Sequence, residues 1–327
     1  MQKKKVAISI GDLNGIGIQL ALENHENVSR IVEPLYCIDK QMLQQASKRL
    51  NIPIPNDFQI VEEEIAPPFE IAPGTVSKES GHYAYNSFVK AVELAGEKRV
   101  DAVCTLPIHK KAWEEAGIVY KGHTDALRDF FDAEAIMMLG CPQMYVALFT
   151  EHIPLKEVAG CINETDLTRF LMDFYKSAKP ESTVAVLGLN PHAGDDGVLG
   201  DEERIIQKAI DHANTALRQA QGTVSSNSSV PELVEGIEAY SDPLVPDIAF
   251  TPNVRKHYTH YVAMYHDQGL APLKALYFDE GINVSLNLPI LRTSVDHGTA
   301  FDIAYKGVKL NGLSYLNAVR YIVGSRK

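Results

Sequence analysis

Val6-Ala7-Ile8-Ser9-Ile10-Gly11-Asp12-Leu13-Asn14-Gly15-Ile16-Gly17 decides the fold class. A short apolar run stops at a glycine-rich turn, and Ile18–Asn24 then opens a helix. A buried strand handing over to a helix through a tight turn is the repeating step of an α/β protein. Outward from this unit the step recurs. Leu35–Ile38 reads as a strand before a helix at Lys40–Leu50. Gly81–Lys98 carries Tyr83, Phe88, Val89, Ala91, Val92 and Leu94 at helical spacing and leads to a strand at Ala102–Thr105. Further strands are expected at Tyr145–Phe149, Val158–Cys161, Val184–Leu187, Ile248–Phe250 and Ala275–Tyr277, with long helices at Glu164–Ala178 and Glu202–Leu217. This alternation predicts a mostly parallel sheet. Gln219–Gly236 breaks it: a Ser/Asn run with no periodic apolar face reads as a surface insertion.

The 327 residues suffice for about two domains. A formal net charge of -11 repels nucleic-acid phosphates, and Lys3-Lys4-Lys5 is the only basic run, so no nucleic-acid partner is expected. No apolar run approaches the roughly 18 residues that span a bilayer, so no membrane partner is expected either. Val6–Ile10 is too short for the core of a secretion signal, and Cys37, Cys104, Cys141 and Cys161 are scattered. Free thiols in a reducing cytoplasm fit that pattern better than disulfides or a structural zinc site.

Chemistry-bearing residues gather after strand ends. His152 follows the Tyr145–Phe149 run, His192 follows Val184–Leu187, and His266 follows the run 261–264. Ligands bind at the carboxyl ends of strands in open α/β sheets. Three imidazoles there suit a catalytic divalent metal, although each is also an ordinary hydrogen-bonded loop residue when taken alone. Lys274, Asn283 and Arg292 follow; Lys and Arg pair with phosphate or carboxylate, or else stand separately on the surface. Gly122-His123-Thr124-Asp125 precedes a helix, where Thr124 or Asp125 caps it or His123 and Thr124 offer donors to an anion. In Asp296-His297-Gly298-Thr299-Ala300-Phe301-Asp302, Thr299 caps a following helix with Asp302 in its first turn, or the loop wraps a nucleotide. Gly11–Gly17 is neither G-x-G-x-x-G, since position 20 is Leu, nor a P-loop; it fits a plain turn as well as a ligand loop. The remaining histidines, His109 the least settled among them, read as structural.

Gly122-His123-Thr124, Asn190-Pro191-His192-Ala193-Gly194, Tyr265-His266-Asp267-Gln268-Gly269 and Arg292-Thr293-Ser294-Val295-Asp296-His297-Gly298-Thr299-Ala300 together resemble the PdxA family, the 4-hydroxythreonine-4-phosphate dehydrogenases of the pyridoxal phosphate pathway. The likeness runs from Val6 to Gly307, and the last motif also resembles a loop of isocitrate and isopropylmalate dehydrogenases. The resemblance implies two α/β/α domains of isocitrate/isopropylmalate dehydrogenase type, one from 1–125 with 285–327 and one from 126–284. It implies that His152, His192 and His266 bind a divalent metal (zinc, magnesium, manganese or cobalt) in a homodimer whose active site lies at the subunit interface. His123, Thr124, Lys274, Asn283 and Arg292 would bind a small phosphorylated substrate. His297, Gly298, Thr299, Ala300 and Asp302 would hold NAD or NADP, and Asp267 or Lys274 would handle the proton, with Asp247 near the metal. The implied reaction oxidises 4-phosphooxy-L-threonine at C3 and then decarboxylates it. The chain departs from the family's habit at Leu13, Asn14, Ile18, Gln19, Leu106, His109 and Asp125. Those positions keep a dehydrogenase of phosphorylated threonate or erythronate in view. Two other classes use the same residues: a metal-dependent phosphatase and a non-catalytic metabolite sensor.

Overall fold

The computed structural model describes residues 3–222 and 238–325. The chain divides into two compact units, Met1–Ala135 with Ile282–Lys327, and Ile136–Gly281.

The first unit opens with β1 (Lys5–Ser9), α1 (Gly17–Ile31), β2 (Glu33–Cys37), α2 (Lys40–Leu50), α3 (Lys78–Gly96), β3 (Ala102–Thr105), α4 (Lys110–Glu115) and α5 (His123–Phe131). Val6 to Ser9 are buried on both faces, as a central parallel strand requires. α2 stops where Asn51 turns left-handed at φ 56°, and α3 starts where the Ser77 side chain accepts from Ser80 N–H.

The second unit contains β4 (Ile136–Cys141), β5 (Met144–Leu148), α6 (Leu155–Cys161), α7 (Glu164–Ala178), β6 (Ala185–Val186), a 3-10 turn (Pro191–Gly197), α8 (Glu202–Gly222), α9 (Pro246–Ala249), α10 (Pro252–Arg255), β7 (His260–Ala263) and α11 (His266–Tyr277). Its strands lie in the order β4-β5-β7-β6, parallel except for β4 against β5. Met137, Leu139, Val146, Tyr261, Leu270 and Leu273 form its core. α11 packs directly on β5: a Cβ on Gly269 would stand 2.4 Å from Val146 Cγ1.

The chain then returns to the first unit with β8 (Ile282–Leu286), β9 (Arg292–Val295) and α12 (Leu313–Gly324). Strand order there is β2-β1-β3-β9-β8, parallel except for β8 against β9. The α/β architecture with mostly parallel strands is therefore present in both units.

Three expected strands are helical. Val158–Cys161 lies in α6, residues 248–249 lie in α9 with Phe250 as its C-cap, and 275–277 end α11. A short apolar run looks the same on a strand and on the buried side of a helix turn. Conversely β4, β8, β9 and α12 carried no expectation. In β9 every residue is buried although three of four are polar, which hides it from a hydrophobicity reading. The insertion at 219–236 falls largely outside the described residues; its first four positions extend α8. Among the described residues no helix is long and apolar enough to cross a membrane.

Candidate active site

β1, β3 and β9 run parallel, so the loops after them leave the first unit at one edge. They interlock through backbone. Asp12 N–H donates to Pro107 O at 2.9 Å and Ile16 N–H to Thr299 O at 3.1 Å. A Cβ on Gly15 would stand 2.8 Å from Thr299 O, so glycine is required where the loops touch. Gly11 sits at φ +71° with Pro107 O only 2.2 Å from where its Cβ would be. The glycines of this turn therefore serve close approach of the chain to itself, and the turn seats the 297–302 loop. Burial pushes the Asp12 carboxyl up to about 6, against the pull of Asn14 N–H and the Ser80 hydroxyl. Leu13, Asn14, Ile18, Gln19 and Leu106 are all buried, and the Asn14 amide is bonded to Thr75 O and Ala72 N–H.

No helix follows Thr299. The segment continues in turns, with Ala300 at φ 44° and Tyr305 at φ 59°, so Thr299 is not an N-cap and Asp302 serves no helix dipole. Thr299 is buried, while Gly298 and Asp302 are exposed and the His297 ring sits over its own loop, Nδ1 3.2 Å from Gly298 O. His109 stacks on Phe301 at 4.6 Å, and its Nδ1 is buried without a hydrogen-bond partner. An exposed glycine, a backbone turn and an unsatisfied ring nitrogen at the strand ends suit a nucleotide's polar edge.

A second group forms around Arg292, at the start of β9 and 2% exposed. Among the described residues no carboxylate pairs with it. Its Nη2 donates to Thr105 Oγ1 at 2.7 Å and to His123 Nδ1 at 3.0 Å, its Nε to Thr105 Oγ1 at 3.2 Å, and its Nη1 to Ser285 Oγ at 3.2 Å and Asn283 Oδ1 at 3.3 Å. Burial pulls the guanidinium down to about 10, still charged at neutral pH. His123 is the first residue of α5; Gly122 is the N-cap, so neither Thr124 nor Asp125 takes that place, and the Asp125 carboxylate accepts from Lys121 N–H. Phe88 and Trp113 enclose the His123 ring at 4.7 and 5.5 Å. Burial first, then the Arg292 charge, hold His123 well below the ordinary histidine range, so it is neutral. Because Nδ1 accepts from arginine, the proton sits on Nε2, which is buried and has no partner. A buried cation lacking a counter-charge, beside an unsatisfied N–H at a helix N-terminus, has the chemistry to take an anion. Thr105 and Ser285 were not anticipated. The signal lay in the strand periods: Ser285 pairs directly with Arg292 across β8 and β9, and Asn283 lies two residues away on the same face.

In the second unit, the His152 and His266 rings approach to 5.6 Å between centroids. Asp267 Oδ1 lies 2.7 Å from His266 Nδ1, so Nε2 is the nitrogen of that ring that could meet a metal. His192 is exposed on the Pro191–Gly197 turn, where five consecutive residues from His192 to Asp196 have positive φ. Glu203 pins the stem of that turn by accepting from Leu189 and Asn190 N–H at 2.8 and 2.6 Å. Among the described residues no three His, Cys, Asp or Glu side chains converge to hold a metal. One chain therefore brings together two of the three histidines and not the third. Lys274 lies on α11 with its Nζ 5.8 Å from the Phe278 ring centre; Asp247 is exposed in α9.

Comparison with known proteins gives the family. Residues 30–322 match the family model described as pyridoxal phosphate biosynthetic protein PdxA. A 4-hydroxythreonine-4-phosphate dehydrogenase of Sulfurimonas denitrificans is 56% identical over 320 residues, covering 98% of this chain and 97% of that one. One from Helicobacter pylori is 47% identical over 333 residues, covering 98% and 100%. The crystal structure of a 4-hydroxythreonine-4-phosphate dehydrogenase from Burkholderia phymatum superposes with a TM-score of 0.77 at 31% identity over 100% of both chains. With the match running through both units and almost end to end in each relative, the chain belongs to the PdxA family of pyridoxal phosphate biosynthetic proteins.

Proposed function

We propose that this protein oxidises the C3 carbinol of 4-phosphooxy-L-threonine with NAD or NADP. Loss of carbon dioxide then gives 3-amino-2-oxopropyl phosphate, in the cytoplasmic route to pyridoxal phosphate. The observation that carries the reading is the buried, uncompensated Arg292 beside the unsatisfied His123 N–H. It is a site for a small anion, and the similar proteins are named for a phosphorylated substrate.

The chain's residues divide the work. His123, Thr124, Asn283 and Arg292 neutralise and orient the phosphate or carboxylate. The 297–302 loop, with Ala300 left-handed and Gly298 open, receives the nicotinamide cofactor, which supplies the hydride acceptor. His152 and His266 offer two imidazole nitrogens, and a second copy of the chain in a homodimer completes the set that includes His192. A divalent ion held there would acidify the substrate hydroxyl and stabilise charge during decarboxylation. Asp267, bonded to His266, fixes that ring's tautomer. Asp267, Lys274 or water takes the carbinol proton.

The test is turnover by the purified protein. 4-Phosphooxy-L-threonine and the 4-phosphates of threonate and erythronate are offered with NAD and NADP, before and after chelator treatment, while reduced nicotinamide is followed. Preference for the amino acid supports the reading; preference for a sugar acid moves the protein to a related dehydrogenase. Anion binding without turnover of any of them would end the proposal.

A further inference from the structure

Three other parts of the first unit converge on Phe301, within the 297–302 loop. From the turn after β1, a Cβ on Gly15 would stand 3.3 Å from Phe301 Cε1. From the segment ahead of α3, a Cβ on Gly74 would stand 2.7 Å from Phe301 O. From the loop after β3, the His109 ring lies on the Phe301 ring, with centroids 4.6 Å apart and planes 18° apart. On the first two sides the fit depends on the absence of a side chain. On the third it is one ring face against another. His109 Nδ1 is buried without a hydrogen-bond partner, so stacking is what joins the two rings. The His109 backbone is itself anchored, because its carbonyl accepts from the N–H of the fully buried Trp113 in α4 at 3.1 Å.

The loop so held has an anchored part and an open part. Thr299 is buried and its carbonyl accepts from Ile16 N–H, whereas Gly298 and Asp302 are exposed, and a Cβ on Gly298 would meet nothing within 4 Å. Between them Ala300 is left-handed at φ 44°, a conformation that a non-glycine residue keeps only when its surroundings impose it. A methyl group cannot impose it. The hold comes from the residues on either side, Thr299 through its carbonyl and Phe301 through its ring.

We infer that His109 is a positioning residue for the nicotinamide cofactor: its ring clamps Phe301, and Phe301 keeps the strained turn at Ala300 in shape before the cofactor arrives. The inference rests on the reading of 297–302 as the cofactor loop and adds the side chain that presets it. A preset loop spares the cofactor the entropy of ordering it, so loss of the clamp appears as weaker binding.

The experiment is calorimetric titration of NAD and of NADP into the full chain and its variants. His109→Ala should weaken the cofactor that the wild type binds by about three- to tenfold, the factor that one aromatic pair corresponds to. His109→Phe keeps a ring on Phe301 without the imidazole nitrogens and should restore affinity to within about twofold of wild type. Phe301→Leu, which stays apolar but offers no ring face, should lose about as much as His109→Ala. The double variant should lose no more than the larger single loss, because both changes remove one contact. Wild-type affinity in His109→Ala, or losses that add in the double variant, overturns the clamp. His109→Phe as weak as His109→Ala overturns the stacking role, since the two then share only the missing nitrogens. Should the alanine variant not fold, Phe301→Leu at wild-type affinity overturns the inference and a weakened one supports it. A wild-type chain that binds neither NAD nor NADP overturns the cofactor reading beneath it.

Discussion

The Arg292 group of the first unit and the imidazole pair of the second are built on opposite terms. Arg292 is buried, fully hydrogen-bonded and held by β3, β8, β9 and α5. His152 is exposed, His266 is 38% exposed on its side chain, and Asp267 is 85% exposed. The buried group is complete in one chain, because a charge enclosed by protein must have its donors satisfied at folding. The exposed pair is not joined by a third His, Cys, Asp or Glu among the described residues. Substrate affinity and substrate turnover should therefore fail independently.

The largest effect expected is on turnover. Chelation, or His266→Ala, should abolish oxidation while sulfate binding and thermal stability stay near wild type, within about 0.5 kcal/mol for an exposed side chain. A variant that loses sulfate as well would break the separation. Next, Arg292→Met should cost roughly 2–5 kcal/mol of anion affinity, a thirtyfold or larger rise in KM, with the imidazole pair untouched. Steady-state kinetics at saturating cofactor measure it, and a purely kcat effect would contradict the binding role.

Asp12 sharpens the comparison from the stability side. Its folded value of about 6 lies above the ordinary 3.8, so the folded state holds the proton more tightly than the unfolded chain does. Its contribution is present below about pH 4 and is lost as pH rises through about 6, at a cost of roughly 3 kcal/mol. Asp12→Asn should flatten that part of the stability–pH curve in urea titrations; an unchanged slope would remove Asp12 as its source. The smallest effect is expected at Gly15. Gly15→Ala should push the Thr299 carbonyl aside at about 1–3 kcal/mol and weaken cofactor binding more than sulfate binding. Equal losses for both ligands would show that the two loops are not separable.

The same contrast explains what the sequence made legible. α2 at Lys40–Leu50, α7 at Glu164–Ala178 and β3 at Ala102–Thr105 were readable to the residue, because each has one apolar period and clear ends. α6, α9 and the end of α11 were not, being short runs in which the two periods coincide. His123, Thr124, Lys274, Asn283 and Arg292 were picked out by the family resemblance, and the structure gathers all of them but Lys274 around one guanidinium. Thr105 and Ser285 were passed over because a lone hydroxyl in a strand carries no signal until strand pairing is known. His192 carries a signal in the sequence that one chain does not gather with the other two histidines.

Thr105 and Arg292 are 187 positions apart, and the whole second unit lies between them. Loop closure over such a separation is slow relative to local folding. On a ribosome the intervening unit has all its strands in hand before β8 and β9 emerge. The cluster around Arg292 thus forms only after the second unit has been made, and a nascent chain halted before β9 would carry His152, His192 and His266 but lack the guanidinium.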